Sequence, residues 1–276
     1  MIAAERGYDK YSFLPGGSPY FDLKATLHLL ISEKRWSSLK LAAEDMLAVY
    51  PQSAMAWFSL GLAQSKQGFY ADAVTNLKKA LYHNPDMVSV SFQLGNASYY
   101  QKEYTKAIHY YEDALQKGMN THYLHYNMAN AWLKIHHHDA AIKAYLRSLS
   151  ICHEFTPAAY GLFRVYFVKH DYQNAVSALR PVISDEKLPH YLFAQAKLLY
   201  QNEPEINNHK LREAHRLLSC AIDLDADFAQ AYYERAYINS KLNDLSGFAR
   251  DRNTAFGLSP QLREGHVFNL FSSQSL

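Results

Sequence analysis

The sequence predicts an all-α fold, a right-handed α-solenoid of about seven helix–turn–helix repeats with a C-terminal capping helix. Composition is the first observation behind this prediction. The 276 residues include 22 Tyr but only 11 Gly and 9 Pro, which favours long helices over a loop-rich β fold. The second is a recurring step of 34 residues, the mark of a repeat protein. A single helical hairpin cannot bury its apolar face alone, so each repeat must stack on the next.

The recurrence is clearest in a series of alanines. Ala73, Ala107, Ala141 and Ala175 are each 34 residues apart. In the same frame lies a second small series, Gly61, Gly95 and Ala129, and a large one, Leu77, Tyr111, Tyr145 and Leu179. We expect the small residues to lie where paired helices cross, because only a small side chain permits a close approach, and the large residues to fill the space beside them.

This frame also predicts the boundaries along the chain. The repeats are predicted at 20–53, 54–87, 88–121, 122–155, 156–189, 190–228 and 229–260. The sixth is longer because five extra residues fall near the polar stretch NEPEINNHK, an insertion predicted at 203–209 within a turn. Residues 1–19 are predicted to be an irregular lead-in, and residues 261–276 a capping helix with a frayed tail. Pro181 should kink or end the second helix of its repeat.

The best-preserved repeat resembles the tetratricopeptide repeat (TPR) family. Residues 54–87 carry Trp57, Leu60, Gly61, Gly68, Tyr70, Ala73, Leu77, Ala80 and Pro85 on the family pattern, and AYYERAYINSKLNDL at 231–245 is another close match. The resemblance covers about residues 20–260. It implies a concave groove, lined by the first helix of each repeat, that binds partner peptides. The peptide-binding residues that it implies are Phe58, Phe92, Asn96, Tyr99, Tyr126, Asn127, Asn130, Tyr160, Arg164, Tyr233 and Tyr237.

These residue types suit the capture of a peptide. An asparagine side chain carries both a donor and an acceptor, so it can hold an extended backbone without reading its side chains. Aromatic rings offer large contact areas and are frequent binding hot spots. The alternative is that the tyrosines only pack along the solenoid while the asparagines face water. The set of Asn96, Asn127, Asn130 and Arg164, spread over successive repeats, favours the groove.

One TPR subtype grips a C-terminal carboxylate, and the sequence departs from its pattern. Asn96 and Asn127 occupy the matching asparagine positions, but Phe92, Pro157 and Gly161 stand where that subtype needs lysine or arginine. Arg164 is nearby but misplaced. The expected ligand is therefore an internal peptide or a partner helix.

Several other functions are disfavoured by the residues. With 28 Lys+Arg against 26 Asp+Glu, no basic stripe is expected for nucleic acid or an acidic membrane. Cys152 and Cys220 have no metal-ligand spacing and suit a reducing compartment. No signal peptide is expected, because the first twenty residues mix charges and glycines, and no membrane span is expected, because no run of 18 or more apolar residues occurs. A cytoplasmic location is expected.

The chain also lacks a recognisable catalytic or cofactor motif. Its most conspicuous polar run, His136-His137-His138-Asp139, falls in the predicted turn of the fourth repeat, where adjacent histidines point in different directions and chelate a metal poorly. We therefore expect a solvated turn, with no metal, no cofactor and no catalysis.

The predicted function is a non-enzymatic scaffold or adaptor that binds a peptide or helix of a partner protein in the concave groove. The partner's identity is unknown from the sequence, and self-association through open apolar ends is a further possibility. Two alternatives stay open: a helical-repeat RNA-binding protein, against which the small net charge and the 34-residue step argue, and a helical enzyme with a histidine-based metal site.

Overall fold

The computed structural model describes residues 19–183, 188–201 and 207–264. These residues form fourteen α-helices and, within the same ranges, no β-strand. The predicted fold class, an all-α solenoid of helix–turn–helix repeats, is therefore confirmed. The helices are α1 (Pro19–Ser32), α2 (Trp36–Val49), α3 (Ala54–Lys66), α4 (Tyr70–His83), α5 (Val88–Tyr100), α6 (Tyr104–Gln116), α7 (His122–Lys134), α8 (His138–Ile151), α9 (Thr156–Val168), α10 (Tyr172–Leu179), α11 (Pro189–Leu198), α12 (Asn208–Leu224), α13 (Ala229–Lys241) and α14 (Leu245–Leu258).

The helices belong to two compact units, divided between His153 and Glu154. Unit 1 contains α1 to α8, and unit 2 contains α9 to α14. Within each unit, a helix packs on the next one along the chain. The apolar core of unit 1 contains fully buried side chains, among them Leu39, Met46, Leu77 and Leu94.

Small residues stand where the paired helices cross, as predicted. Ala73, Ala107, Ala141 and Ala175 are completely buried. A Cβ atom added to Gly95 would lie 2.5 Å from Cδ1 of Tyr111, far inside van der Waals contact. The crossing of α5 and α6 thus requires glycine, and the large residue beside it fills the space that glycine leaves.

The turns within the hairpins share one backbone conformation. A residue with positive φ occurs at Lys34, Lys102, His136, His170 and Asn243, and also at Gly68. The first five positions of this set in chain order, 34, 68, 102, 136 and 170, are separated by the 34-residue step. In each of these turns, the N–H of the following residue donates to the carbonyl five residues earlier, as from Phe69 N to Gln64 O at 2.9 Å. This is the Schellman helix ending. The sequence comparison identified only the glycine of this set.

Some boundary predictions can be compared with the structure. Helix α10 ends at Leu179, before Pro181, as expected. The described start of the predicted capping helix is a short 3-10 helix at Pro260–Glu264 rather than an α-helix. The rest of the capping helix (265–276), the lead-in up to residue 18 and residues 202–206 of the insertion region lie outside the described residues. The repeat boundaries stay a prediction.

Candidate peptide-binding surface

Two neighbouring hollows in unit 1 contain most of the predicted groove residues. The first, which we call the amide pocket, has a volume of about 250 Å³ and lies among α5, α6 and α7. The second, the side groove, has a volume of about 560 Å³ and shares Asn96 and Asn127 with the amide pocket. The amide pocket is lined by Asn96, Tyr99, Tyr100, Tyr111, Tyr126, Asn127 and Asn130; the side groove is lined by Lys66, Phe92, Gln93, Asn96, Met119, Asn120, Thr121, His122, Tyr123, Asn127 and Ile151.

Paired tyrosine and asparagine side chains build the amide pocket. Tyr111 Oη donates to Asn96 Oδ1 at 2.9 Å, and Tyr145 Oη donates to Asn130 Oδ1 at 2.5 Å. Both tyrosine rings are buried in the core. Burial, followed by the neighbouring Tyr99, raises the pKa of Tyr111, so its hydroxyl stays protonated and remains a donor near neutral pH.

The role of these hydroxyl groups was missed from the sequence, where Tyr111 and Tyr145 were predicted only to fill space. A signal for it exists. In each pair the tyrosine follows its asparagine by fifteen residues. In the preceding repeat the same two positions hold Leu62 and Leu77, an apolar pair that needs no hydroxyl.

The three asparagines differ in how much hydrogen-bonding capacity they have left. Asn96 Oδ1 accepts from Tyr111 and from Asn127 Nδ2, each at 2.9 Å, and Asn96 Nδ2 donates to Gln93 at 3.3 Å. Asn96 is therefore largely occupied by the protein itself. The Oδ1 atom of Asn127 and the Nδ2 group of Asn130 have no hydrogen-bond partner within the described ranges.

Aromatic rings surround these amides. Tyr99 and Tyr126 are partly exposed at the pocket, and Phe92 packs on Tyr111 with ring centroids 5.9 Å apart. Tyr100 is 60% exposed and stacks on Tyr70 with centroids 4.9 Å apart. Tyr100 lines the pocket although the sequence did not single it out, because it is the last residue of α5 and falls outside the frame of the other groove positions.

Phe58 and Tyr233 do not lie on an open surface, contrary to the predicted groove. Their exposed fractions are 7% and 8%. Phe58 belongs to the buried core of unit 1, and the ring of Tyr233 lies 6.4 Å from that of Phe256 on α14, between centroids. A helix frame places a residue on a face of the helix, but it does not determine how far neighbouring side chains cover it. Neither residue offers appreciable area to a ligand.

The remaining predicted residues lie in unit 2. Tyr160 and Arg164, both on α9, line a separate pocket of about 430 Å³. Tyr237 on α13 is partly buried, with its ring centroid 5.9 Å from that of Tyr200. The structure thus brings Asn96, Tyr99, Tyr126, Asn127 and Asn130 together in unit 1 and Tyr160 with Arg164 in unit 2.

A charged network beside Tyr237 was not predicted from the sequence either. Lys197 Nζ lies 2.9 Å from Glu234 Oε1, and Tyr200 Oη donates to Glu234 Oε2 at 2.5 Å. Burial and the charge of Glu234 raise the pKa of Tyr172 to about 12. Each charge is met by a partner, so this network ties α11 to α13.

The histidine run is explained by backbone geometry. His136 is the left-handed residue of its turn, His137 stacks on Trp132 with centroids 5.3 Å apart, and His138 begins α8. Among the described residues, no group of three or more His, Cys, Asp or Glu side chains is placed to hold a metal ion. Over the same part of the chain, no helix is long and apolar enough to cross a membrane.

Comparison with known proteins supports the repeat fold. Residues 59–122 match the family model described as tetratricopeptide repeat. The chain is similar to the APC/C hetero-tetramer Cut9-Hcn1, with 15% identity, a TM-score of 0.50, and coverage of 89% of this chain but only 47% of that one. It is also similar to MamA MSR-1, with 14% identity, a TM-score of 0.52, and coverage of 58% of this chain and 92% of that one. No curated protein shows significant sequence similarity.

Proposed function

Because the chain is a tetratricopeptide repeat protein, a family that is generally non-enzymatic, we propose that it is a protein-interaction scaffold or adaptor. Its ligand is a peptide segment or helix of a partner protein. The principal binding surface is the amide pocket together with the side groove in unit 1.

The observation that carries this proposal is the position of Asn127. Its side chain lines both hollows, and its Oδ1 atom has no partner among the described residues. A partner's backbone N–H could donate to that oxygen, while Asn130 Nδ2 could donate to a backbone carbonyl. The surrounding tyrosines supply contact area that does not depend on the partner's sequence.

A protein partner also suits the charge of the chain, which has a formal net charge of +2. A nucleic-acid ligand is better served by a strongly basic face. Cys152 and Cys220 are both free thiols, which is compatible with the proposed cytoplasmic location.

The proposal is tested by affinity capture from a lysate of cells that express the protein, with wild type beside Asn127→Ala. The matched control is Asn76→Ala, since Asn76 Nδ2 also donates one hydrogen bond to an amide oxygen, Gln64 Oε1, at 2.8 Å but lines neither hollow. We expect a partner retained by wild type and by the control to be lost from Asn127→Ala. Equal retention by all three proteins would place the binding surface elsewhere.

A further inference from the structure

Unit 2 contains a second hollow whose chemistry differs from that of the amide pocket. This apolar pocket has a volume of about 430 Å³ and lies between α9 and the start of α11. Its apolar wall consists of Tyr160, Phe163, Phe167, Val168, Leu188 and Pro189. The volume falls within the range of small-ligand and side-chain sites.

Aromatic packing holds the base of the apolar pocket in place. The ring of Phe167 lies 5.6 Å from Phe163 and 5.6 Å from Phe193, between centroids. His190 stacks on Phe228 with centroids 4.5 Å apart, and burial lowers its pKa, which disfavours a second positive charge beside Arg164. The pocket is therefore preformed, and a ligand need not order its base on binding.

Among the described residues that line the apolar pocket, only Arg164 carries a permanent charge. It corresponds in the repeat frame to Asn96 and Asn130, but the residue fifteen positions later is Leu179, which has no hydroxyl group. In unit 1 a tyrosine hydroxyl donates to Asn96 and another to Asn130; Arg164 has no equivalent partner at position 179. Arg164 is exposed and has no hydrogen bond, ion pair or ring contact with another described residue.

A guanidinium without a partner among the described residues, beside an apolar hollow, defines the complementary ligand. A carboxylate can accept two parallel hydrogen bonds from arginine, while the apolar wall takes a large side chain out of water. Val168, 63% exposed, extends the apolar surface toward solvent. A basic peptide would instead face an uncompensated like charge.

We propose that the apolar pocket binds an acidic segment of a partner protein, with one aromatic or aliphatic side chain in the pocket and an adjacent carboxylate on Arg164. This inference extends the proposed function to a second site, and it can fail while the amide pocket still binds.

The test is fluorescence anisotropy with the full chain and two labelled peptides, Gly-Ser-Glu-Phe-Glu-Ser-Gly and Gly-Ser-Lys-Phe-Lys-Ser-Gly. We expect wild type to bind the acidic peptide at least about tenfold more tightly than the basic one. Its affinity for the acidic peptide should fall as the salt concentration is raised. Arg164→Glu should reverse the preference. Arg212→Glu, the same charge change at an exposed residue of unit 2 outside the pocket, should leave it intact.

The apolar half of the site is tested separately with Val168→Ser, a change at an exposed position that should leave the core intact. Val168→Ser should lower the affinity for the acidic peptide. The variant should still bind the acidic peptide more tightly than the basic one. Equal binding of both peptides by wild type, no binding of either, or an unchanged preference in Arg164→Glu would each overturn the inference. Loss of the preference in Asn127→Ala would place the labelled peptide in unit 1 and would likewise overturn the inference.

Discussion

At the scale of single residues, Arg235 and Asp251 form an ion pair that is largely removed from water. Arg235 Nε and Nη2 donate to the two carboxylate oxygens at 2.7 and 2.8 Å, and Asn239 Nδ2 adds a third donor at 3.0 Å. Asp251 is only 2% exposed. Loss of one partner would leave the other charge without compensation in a site that water hardly reaches.

We therefore expect Asp251→Asn to lower the free energy of unfolding by about 3 kcal/mol or more. The matched control is Glu213→Gln, which breaks the exposed pair with Arg216 at 2.7 Å and should cost less than about 1 kcal/mol. Urea unfolding followed by circular dichroism measures both. Similar losses of unfolding free energy in the two variants would show that the buried pair stabilises the fold no more than the exposed pair does.

At the scale of helices, the crossing of α5 and α6 depends on the absence of a side chain at Gly95. In Gly95→Ala, the new Cβ would collide with the buried ring of Tyr111. Overpacking of this kind costs typically about 1–3 kcal/mol, and displacement of the ring would also weaken its bond to Asn96. We expect lower stability and, as a second effect, weaker binding at the amide pocket.

The control for this prediction is Gly257→Ala. An added Cβ there meets nothing within 4 Å, so the greater helix propensity of alanine should leave stability unchanged or raise it by up to about 1 kcal/mol. Thermal unfolding of the two variants distinguishes the cost of the steric collision from the gain in helix propensity. Equal changes in the two would mean that the close crossing contributes nothing.

The helices could be predicted from the sequence because their periodicity reflects packing that every repeat shares. Ala73 and its equivalents report a steric requirement, and such a requirement is visible in a single sequence. The exposure of Phe58 and the free amide of Asn127 could not be predicted in this way. Both depend on which neighbouring side chains cover them or hydrogen-bond to them, and those neighbours come from other helices.

At the scale of the whole molecule, both units contain histidines whose protonation burial disfavours. Burial lowers the pKa of His125 in unit 1 and of His190 and His215 in unit 2. His125 Nε2 lies 2.8 Å from Asn120 Oδ1, while Nδ1 is buried without a hydrogen-bond partner in the described chain. Protonation of Nδ1 would place an unsolvated charge in the core.

The sign of the pH dependence follows from linkage. Because the pKa of His125 in the folded chain lies below its ordinary value of about 6.5, the unfolded chain binds more protons in the interval between the two. Stability therefore falls as the pH drops below about 6.5. We expect a lower urea midpoint at about pH 5.5 than at about pH 7.5, and a shallower fall in His125→Gln. The exposed His109→Gln should retain the full fall; identical slopes in both variants would exclude His125 as a contributor.

The left-handed turns have a consequence for how this protein could be improved. Lys34, Lys102 and His136 each hold a backbone conformation that disfavours side chains by about 1 kcal/mol or more, and none of them lines the amide pocket, the side groove or the apolar pocket. Part of that penalty is recoverable by glycine, although the extra freedom of the unfolded chain offsets some of the gain. Since the turns share no partners, the gains should add. Replacing these residues with glycine one at a time should therefore raise the thermal stability stepwise, without changing a residue that lines either proposed binding site.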